Sequence, residues 1–404
     1  MTTGPYSVEH SLSTRSEVQE LVLEQVGRAC QRLRPHEDRA YLEGRFNDEI
    51  IPIFRDAHLL GLPISSDYGD GQNSDMSTYA LAIERIGEEG TGVRTFFSGH
   101  ISLGQLTLQK WGTREQKERY LPKASRGEII MAFALTEPSA GSDPSSLQTT
   151  FEENGNYYVL NGSKAWISNG SIADTIITFA YPKGKHDGMR AFVVESNVEG
   201  YRTQEIKNKL GLASSNTSFI FFDNCRIPKD SILGPPGKGL SIAHSAIMNG
   251  RLSVAAGSVG VMTDCIKEAV MYAKNRIQHG KAIGKHQLVQ EHLGIMTTNR
   301  EAAHALTIRA ASLKMQSDNK IHDNRLRDEA DILVAQAKYF ASRVAYDAAD
   351  RAVQVFGANG YSLENRVARH LADTRACRIY EGTEEILLQK IALKELGNEF
   401  KAFS

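Results

Sequence analysis

Cysteine, tryptophan and charge of a single sign are all scarce in this 404-residue chain, and each shortage excludes something. Its four cysteines, Cys30, Cys225, Cys265 and Cys377, lie far apart with no CxxC pair. That spacing rules out a zinc ribbon and a disulfide scaffold and fits a reducing compartment. Forty-seven basic and 48 acidic side chains leave a net charge of −1, so no broad field attracts phosphate backbones or anionic lipid, and nucleic-acid binding is not expected. No stretch approaches the roughly 18–20 apolar residues of a membrane span. The first twenty residues lack an apolar core and carry early acids, which argues against a secretory leader. They also lack the Arg-rich character of a transit peptide, so a cytoplasmic protein is expected. There is no P-loop and no Gly-x-Ser-x-Gly elbow. His279, His286 and His292 are spaced unlike zinc ligands, and no metal is expected.

What is present has the composition of a globular protein, 41% apolar and 24% charged, at a length that calls for two or three packed domains. Up to about residue 130 the apolar period is helical. Val18, Leu21, Val22, Val26 and Ala29 share one face, as do Ile51, Ile53, Phe54, Ala57 and Leu60, and further helices are expected over 77–87 and 91–110. From 131 to 235 the pattern changes to short β-rich runs, such as 157–160, 175–179, 191–194 and 219–222. Asn154-Gly155, Asn161-Gly162 and Asn169-Gly170 read as the turns between them, giving an antiparallel β domain. From 236 to 404 the helical period returns in long segments. Leu252, Ala256, Val259, Met262, Ile266 and Val270 form one stripe, and Ile332, Ala335, Ala337, Phe340, Val344 and Ala348 another. Helices that long need partners, so a bundle is expected. The fold class is therefore α+β: an N-terminal helical domain (1–130), a middle antiparallel β domain (131–235) and a C-terminal helix bundle (236–404).

Three segments carry candidate chemistry. Ala132 to Asp143 (AFALTEPSAGSD) is a small-residue loop whose backbone N–H groups and hydroxyls suit a phosphate or a heteroaromatic edge. Asn161 to Gly170 (NGSKAWISNG) holds Trp166, one of only two tryptophans, where a flat ligand can pack on the indole. Arg378 to Glu385 (RIYEGTEE) places Glu381 beside Tyr380 and Gly382, where an apolar cleft would raise a carboxylate's pKa toward base work near neutrality. Read singly, each is more readily an ordinary turn or helix start.

Taken in order, with Val353 to Tyr361 (VQVFGANGY) before the last, these segments resemble the acyl-CoA dehydrogenase family over roughly residues 20 to 395. The resemblance implies an FAD-dependent enzyme that oxidises an acyl thioester to its trans-2-enoyl form. Glu381 would remove the α-proton while the β-hydride passes to flavin N5. Phe133, Leu135, Thr136 and Ser142, then Trp166, Ile167 and Ser168, would contact the flavin or its pyrophosphate. Arg276, Gln278, Gln287, Gln354, Gly357, Thr383 and Glu385 would complete the FAD contacts, with Arg276 reaching the cofactor of a neighbouring subunit. A homodimer or homotetramer follows from that sharing. Electron transfer flavoprotein is the implied electron acceptor. Two departures stand out: His279 replaces a frequent Phe, and Ala213 a frequent Arg.

Substrate contacts implied by the resemblance are Arg94, Ser142, Asn249, Arg251, Tyr380 and Gly382. Arg94 corresponds to the arginine that pairs with the distal carboxylate in glutaryl-CoA dehydrogenases, and Gly141 to Ser146 also matches those enzymes. A buried guanidinium needs a counter-charge, so a carboxylated or polar acyl group is one expectation. An internal pair with Glu84, Glu88 or Glu89 is the other. Phe96 and Phe97 either cap a short or medium acyl pocket or fill the core. The thioester arm belongs to coenzyme A or to an acyl carrier protein. A flavin-dependent oxygenase on the same fold is disfavoured by Glu381, and a DNA-associated paralogue by the net charge.

Overall fold

A computed structural model describes residues 16–320 and 322–400; the leader reading, which concerns mainly residues 1–15, lies outside them. Six helices come first: α1 (Glu17–Glu43), α2 (Ile50–Asp56), α3 (Met76–Gly87), α4 (Thr91–Phe97), α5 (Leu106–Trp111) and α6 (Arg114–Ser125). Ser16 and Gln19 cap α1 reciprocally, and Asp75 accepts from Thr78 N–H at the start of α3, satisfying donors that a helix start leaves open. On α1 the buried stripe begins at Val22, while Val18 and Leu21 are exposed rather than part of the core as their spacing suggested. The helix expected over 91–110 forms as one run, but with a π-helical segment, Ser98–Gln105, between α4 and α5.

Eight strands follow: β1 (Met131–Ala134), β2 (Thr150–Asn154), β3 (Tyr157–Ser168), β4 (Thr175–Pro182), β5 (Arg190–Glu195), β6 (Tyr201–Glu205), β7 (Thr217–Pro228) and β8 (Ile232–Leu233). They form one sheet in the order β6-β7-β3-β2-β4-β5-β8, with β1 also on β4. The sheet is mixed rather than antiparallel, because β4 pairs in parallel with both β1 and β2. Parallel neighbours need a long connection, and the chain between Ala134 and Thr175, with the β2–β3 hairpin inside it, supplies one. That hairpin turns at Gly155-Asn156, one residue on from the expected Asn154-Gly155 pair, because Asn154 still pairs with Tyr157. Asn161-Gly162 does not turn the chain: it lies inside β3, at a register shift against β7.

The C-terminal part packs α7 (Gly239–Asn275), α8 (Gln287–Asn319), α9 (Asn324–Phe356), α10 (Arg366–Cys377) and α11 (Glu384–Leu396), with a small hairpin of β9 (Ile277–Gln278) and β10 (Lys281–Ala282) between α7 and α8. Its core is continuous with that of the N-terminal helices. Contact is closest where α3 crosses α7: a Cβ on Gly87 would lie 2.5 Å from the Gly257 carbonyl oxygen. That approach sets α4, and with it Arg94, directly against α7. Among the described residues no helix is long and apolar enough to cross a membrane.

His100, on the π-helical segment, joins the helices to the sheet. Its Nδ1 accepts from Met131 N–H at 3.1 Å, and its Nε2 donates to the Ala124 carbonyl at 3.1 Å. Burial pushes the imidazole down from 6.5 to about 4. Between those values the unfolded chain binds the extra proton, so the contribution is complete above pH 6.5 and lost as pH falls toward 4. Its size is about 3 kcal/mol. Urea titrations of the wild type and His100→Gln at pH 7 and pH 4.5 are expected to show a shallower acid loss in the variant.

Candidate active site

The turn between α10 and α11 holds two successive residues at positive φ. Glu381 has φ 57° and Gly382 φ 94°, and a left-handed glutamate persists only where its surroundings hold it. Arg251 Nε donates to the Glu381 carbonyl at 2.9 Å, and Lys338 Nζ donates to the Gly382 carbonyl at 2.6 Å. Arg251 also faces Asp331 at 3.4 Å. The Glu381 carboxylate fills the space over α7 left open at Gly250, where a Cβ would collide with it. Burial pushes this carboxyl up from 4.5 to about 7, against the opposing pull of Arg251, Arg94 and Lys338. Loss of water outweighs three nearby cations, leaving a carboxyl that exchanges its proton near neutrality, as the expected base requires.

Gly250→Ala puts a methyl group where the carboxylate sits; with Glu381 as the base that the sequence resemblance implies, a displacement of about 1 Å is expected to lose about 10²-fold in turnover rate. Comparison of substrate-driven flavin bleaching in wild type and variant measures it.

Beside the turn lies Arg94, only 2% exposed. Its guanidinium donates to Thr95 Oγ1 at 3.0 Å and to the Tyr380 hydroxyl, with its carbon 5.3 Å from the Tyr380 ring centre. The Tyr380 hydroxyl also meets Cys377 Sγ at 3.1 Å. The three acids considered as partners for Arg94 are engaged elsewhere. Glu84 faces His304 at 2.9 Å, Glu88 pairs with Lys267 at 2.6 Å, and Glu89 pairs with Arg34 at 2.7 Å and Arg85 at 2.8 Å. Among the described residues Arg94 has no carboxylate within ion-pair distance. Phe96 and Phe97 turn out to be core: Phe97 meets Phe54 edge-on at 4.7 Å, and Phe96 lies 6.0 Å from Phe46. Asn249 donates to the Ser102 carbonyl at 3.2 Å, while its own buried Oδ1 has no partner.

The two other sequence segments meet on the sheet. Ala165 N–H donates to the Thr136 carbonyl at 2.9 Å, so the Leu135–Ser142 loop lies alongside the Trp166 bulge. Trp166, at φ 62° where β3 slips register, is 61% exposed. Ile167 beside it is buried and Ser168 half-buried. Lys164, which sequence reasoning passed over, is fully buried beneath the loop: its ammonium reaches Glu137 at 2.8 Å, the Phe179 carbonyl at 2.8 Å and the Leu135 carbonyl at 3.3 Å. Asn169 ties this region to α4 by donating to the Phe96 carbonyl at 3.1 Å. Phe133 packs on Phe179, and Leu135 is buried. An exposed indole beside the half-buried hydroxyls of Thr136 and Ser168, with Ser142 at the surface, suits the ring and polar edge of a flavin.

Most of the remaining candidates lie elsewhere. Arg276, Gln278, Gln287, Gln354 and Gly357 are exposed and gather at one end of the bundle, where Tyr272 stacks on Phe356 at 4.2 Å. Arg251 and Arg276 mark two points on the same helical run, separated by about 37 Å at 1.5 Å per residue. Thr383 caps α11 by accepting from Ile386 N–H at 3.3 Å, and Glu385 is exposed in the first turn of that helix. His279 and His286 stand 6.2 Å apart, but no group of metal-ligating side chains occurs among the described residues.

Comparison with known proteins decides the family. The N-terminal, middle and C-terminal domains of acyl-CoA dehydrogenase match residues 16–128, 132–225 and 237–395. The chain belongs to the acyl-CoA dehydrogenase family. It is 40% identical to an acyl-CoA dehydrogenase of Bacillus subtilis, over 81% of this chain and 84% of that one. A glutaryl-coenzyme A dehydrogenase solved with glutaryl-CoA superposes with a TM-score of 0.89 at 32% identity, covering 96% of this chain and 97% of the other. An acyl-CoA dehydrogenase from Bacillus anthracis solved with FAD gives 0.88 at 29% identity, over 95% of this chain and 67% of that one. The protein is an FAD-dependent oxidoreductase of this family, and Trp166 with the Thr136 and Ser168 hydroxyls provides a surface that fits the cofactor.

Proposed function

We propose that this enzyme oxidises a short acyl thioester bearing a distal carboxylate, with Glu381 as the base that removes the α-proton. One observation carries the choice of acyl group: Arg94 is buried beside the catalytic turn with only hydroxyl partners. An unpaired buried cation is costly, and a carboxylate on the substrate compensates it with a charge-assisted bond. A plain alkyl chain leaves the guanidinium only the Glu381 charge, which it shares with Arg251 and Lys338.

Glu381, held close to pH 7 by burial, takes the proton from Cα. The Tyr380–Gly382 turn fixes where its oxygens lie, over Gly250. FAD, when bound, supplies the hydride acceptor for Cβ. Coenzyme A and a carrier protein present the same pantetheine thioester to this site, and Glu381 acts on that shared head. Arg276 and its neighbours lie about 37 Å along α7 from Arg251, and the family resemblance assigns them to the cofactor of a second copy, which supports a homo-oligomer. Electron transfer flavoprotein takes the electrons onward, as the family resemblance implies.

An anaerobic screen of holoenzyme against butyryl-, octanoyl- and glutaryl-CoA tests the reading. Glutaryl-CoA is expected to bleach the flavin fastest; equal or faster bleaching by butyryl-CoA would remove the carboxylate from the proposal.

A further inference from the structure

Two successive carbonyls of the catalytic turn are each taken by a buried cation: Glu381 O by Arg251, and Gly382 O by Lys338. Arg251 has Asp331 as its counter-charge. Lys338 is 0% exposed, and among the described residues its ammonium forms no ion pair. Burying an ammonium for a single carbonyl is a poor way to stabilise a helix bundle, since an apolar side chain of similar length would fill the space without the desolvation cost. The location suggests a different use. Lys338 projects from α9 onto a left-handed turn that the chain would not hold unaided, one residue beyond the glutamate carrying the carboxylate.

We propose, building on Glu381 as the base, that Lys338 is a positioning residue for it: the ammonium anchors the Glu381–Gly382 turn through the Gly382 carbonyl and sets a positive charge behind the carboxylate. Three cations on three elements face that carboxylate: Arg94 from α4, Arg251 from α7 and Lys338 from α9. Lys338 in turn faces Cys377, Glu381, Arg251 and Glu384. The anchor holds the carboxylate over Gly250. Burial lowers the Lys338 ammonium from 10.5 to about 8, so around and below neutrality it is charged and favours the ionised carboxylate, and more of the enzyme carries a free base there.

Acetyl-CoA isolates the step, because it has α-hydrogens to exchange with solvent but no β-carbon to give up hydride. Holoenzyme in D2O is followed by NMR for α-hydrogen exchange across pH 5.5–9, alongside FAD content and thermal unfolding. The variants are Lys338→Met, which loses donor and charge, and Lys338→Gln, which keeps a donor without charge. Both are expected to move the acid limb of exchange to higher pH by about half a unit or more. The Met variant is further expected to lose about tenfold or more in plateau rate and the Gln variant less, with little change in apparent KM.

FAD-loaded variants with the wild-type limb and plateau would overturn the proposal. If Lys338→Met does not fold, Lys338→Gln alone decides, and an unmoved acid limb in it overturns the charge role. Glu381→Gln is run in parallel. Exchange that survives there refutes the base itself, whereas its loss there with unaltered Lys338 variants refutes only the role given to Lys338.

Discussion

Glu381→Gln is expected to leave a folded, yellow, FAD-loaded protein that its best thioester no longer bleaches. The amide matches the carboxylate in shape, so it still fits over Gly250, and the Arg251 and Lys338 bonds to the turn use backbone carbonyls that the substitution leaves in place. Only the proton acceptor is gone. A positioned base contributes about 10²–10⁴-fold, and an α-hydrogen beside a thioester is a weak enough acid to put the loss at the upper end. The same carboxyl sets the pH profile. With its pKa raised to about 7 by burial, the ionised form needed for catalysis dominates above neutrality. In the wild type kcat/KM should therefore rise with pH through about 7 and fall roughly tenfold per unit below it. Stopped-flow flavin reduction measures both. Rapid bleaching by the Gln variant, or a wild-type profile flat from pH 5 to 8, would place the chemistry on another group.

How much of this was legible in the sequence depended on whether the signal was local. The long stripes of α7 and α9 were readable because one face of each is strongly apolar. Helix α8 was missed. It buries mainly small or polar side chains, such as Ala303, Thr307, Ala310 and Ala311, so its period is faint, and its start reads as a basic, histidine-containing stretch. Asn161-Gly162 carried the chemistry of a turn, yet pairing with β7 held it inside a strand as a bulge. The parallel β1–β4 pair gave no sign, since register between distant strands is a tertiary choice.

At the site, Glu381 and Trp166 stood out because motif and residue type coincide. Lys338 and Gly250 did not: each lies within an ordinary helical period, and each matters only through what another element places opposite it. A lysine on the apolar side of α9, among Ala335, Ala337 and Ala341, was the one available hint. Arg94 was visible as a candidate, but its partners were not. That three nearby acids bind His304, Lys267, Arg34 and Arg85 instead follows only from the packing of α1, α3, α7 and α8.

Those diverted acids lead to the second large effect, which separates two roles of Arg94. Arg94→Met is expected to reduce kcat/KM for glutaryl-CoA by about 10²–10³-fold, the equivalent of about 3–4 kcal/mol for removing one partner of a buried charge pair. Butyryl-CoA should change far less, because it brings no charge to be left uncompensated, so the preference between the two substrates collapses or inverts. The second role acts on both substrates alike. Arg94 is one of the cations opposing the rise of the Glu381 pKa, and removing it leaves the desolvation less opposed, which moves the acid limb of kcat/KM to higher pH whatever the acyl group. Arg94→Lys keeps a positive charge but not the planar fork that grips a carboxylate by two bonds. It is expected to restore the acid limb while leaving glutaryl-CoA impaired. Parallel pH profiles for the two thioesters across wild type, Arg94→Met and Arg94→Lys separate the roles. If Arg94→Met slows both substrates equally and leaves their ratio unchanged, the guanidinium serves only the catalytic turn, and the acyl group needs no carboxylate.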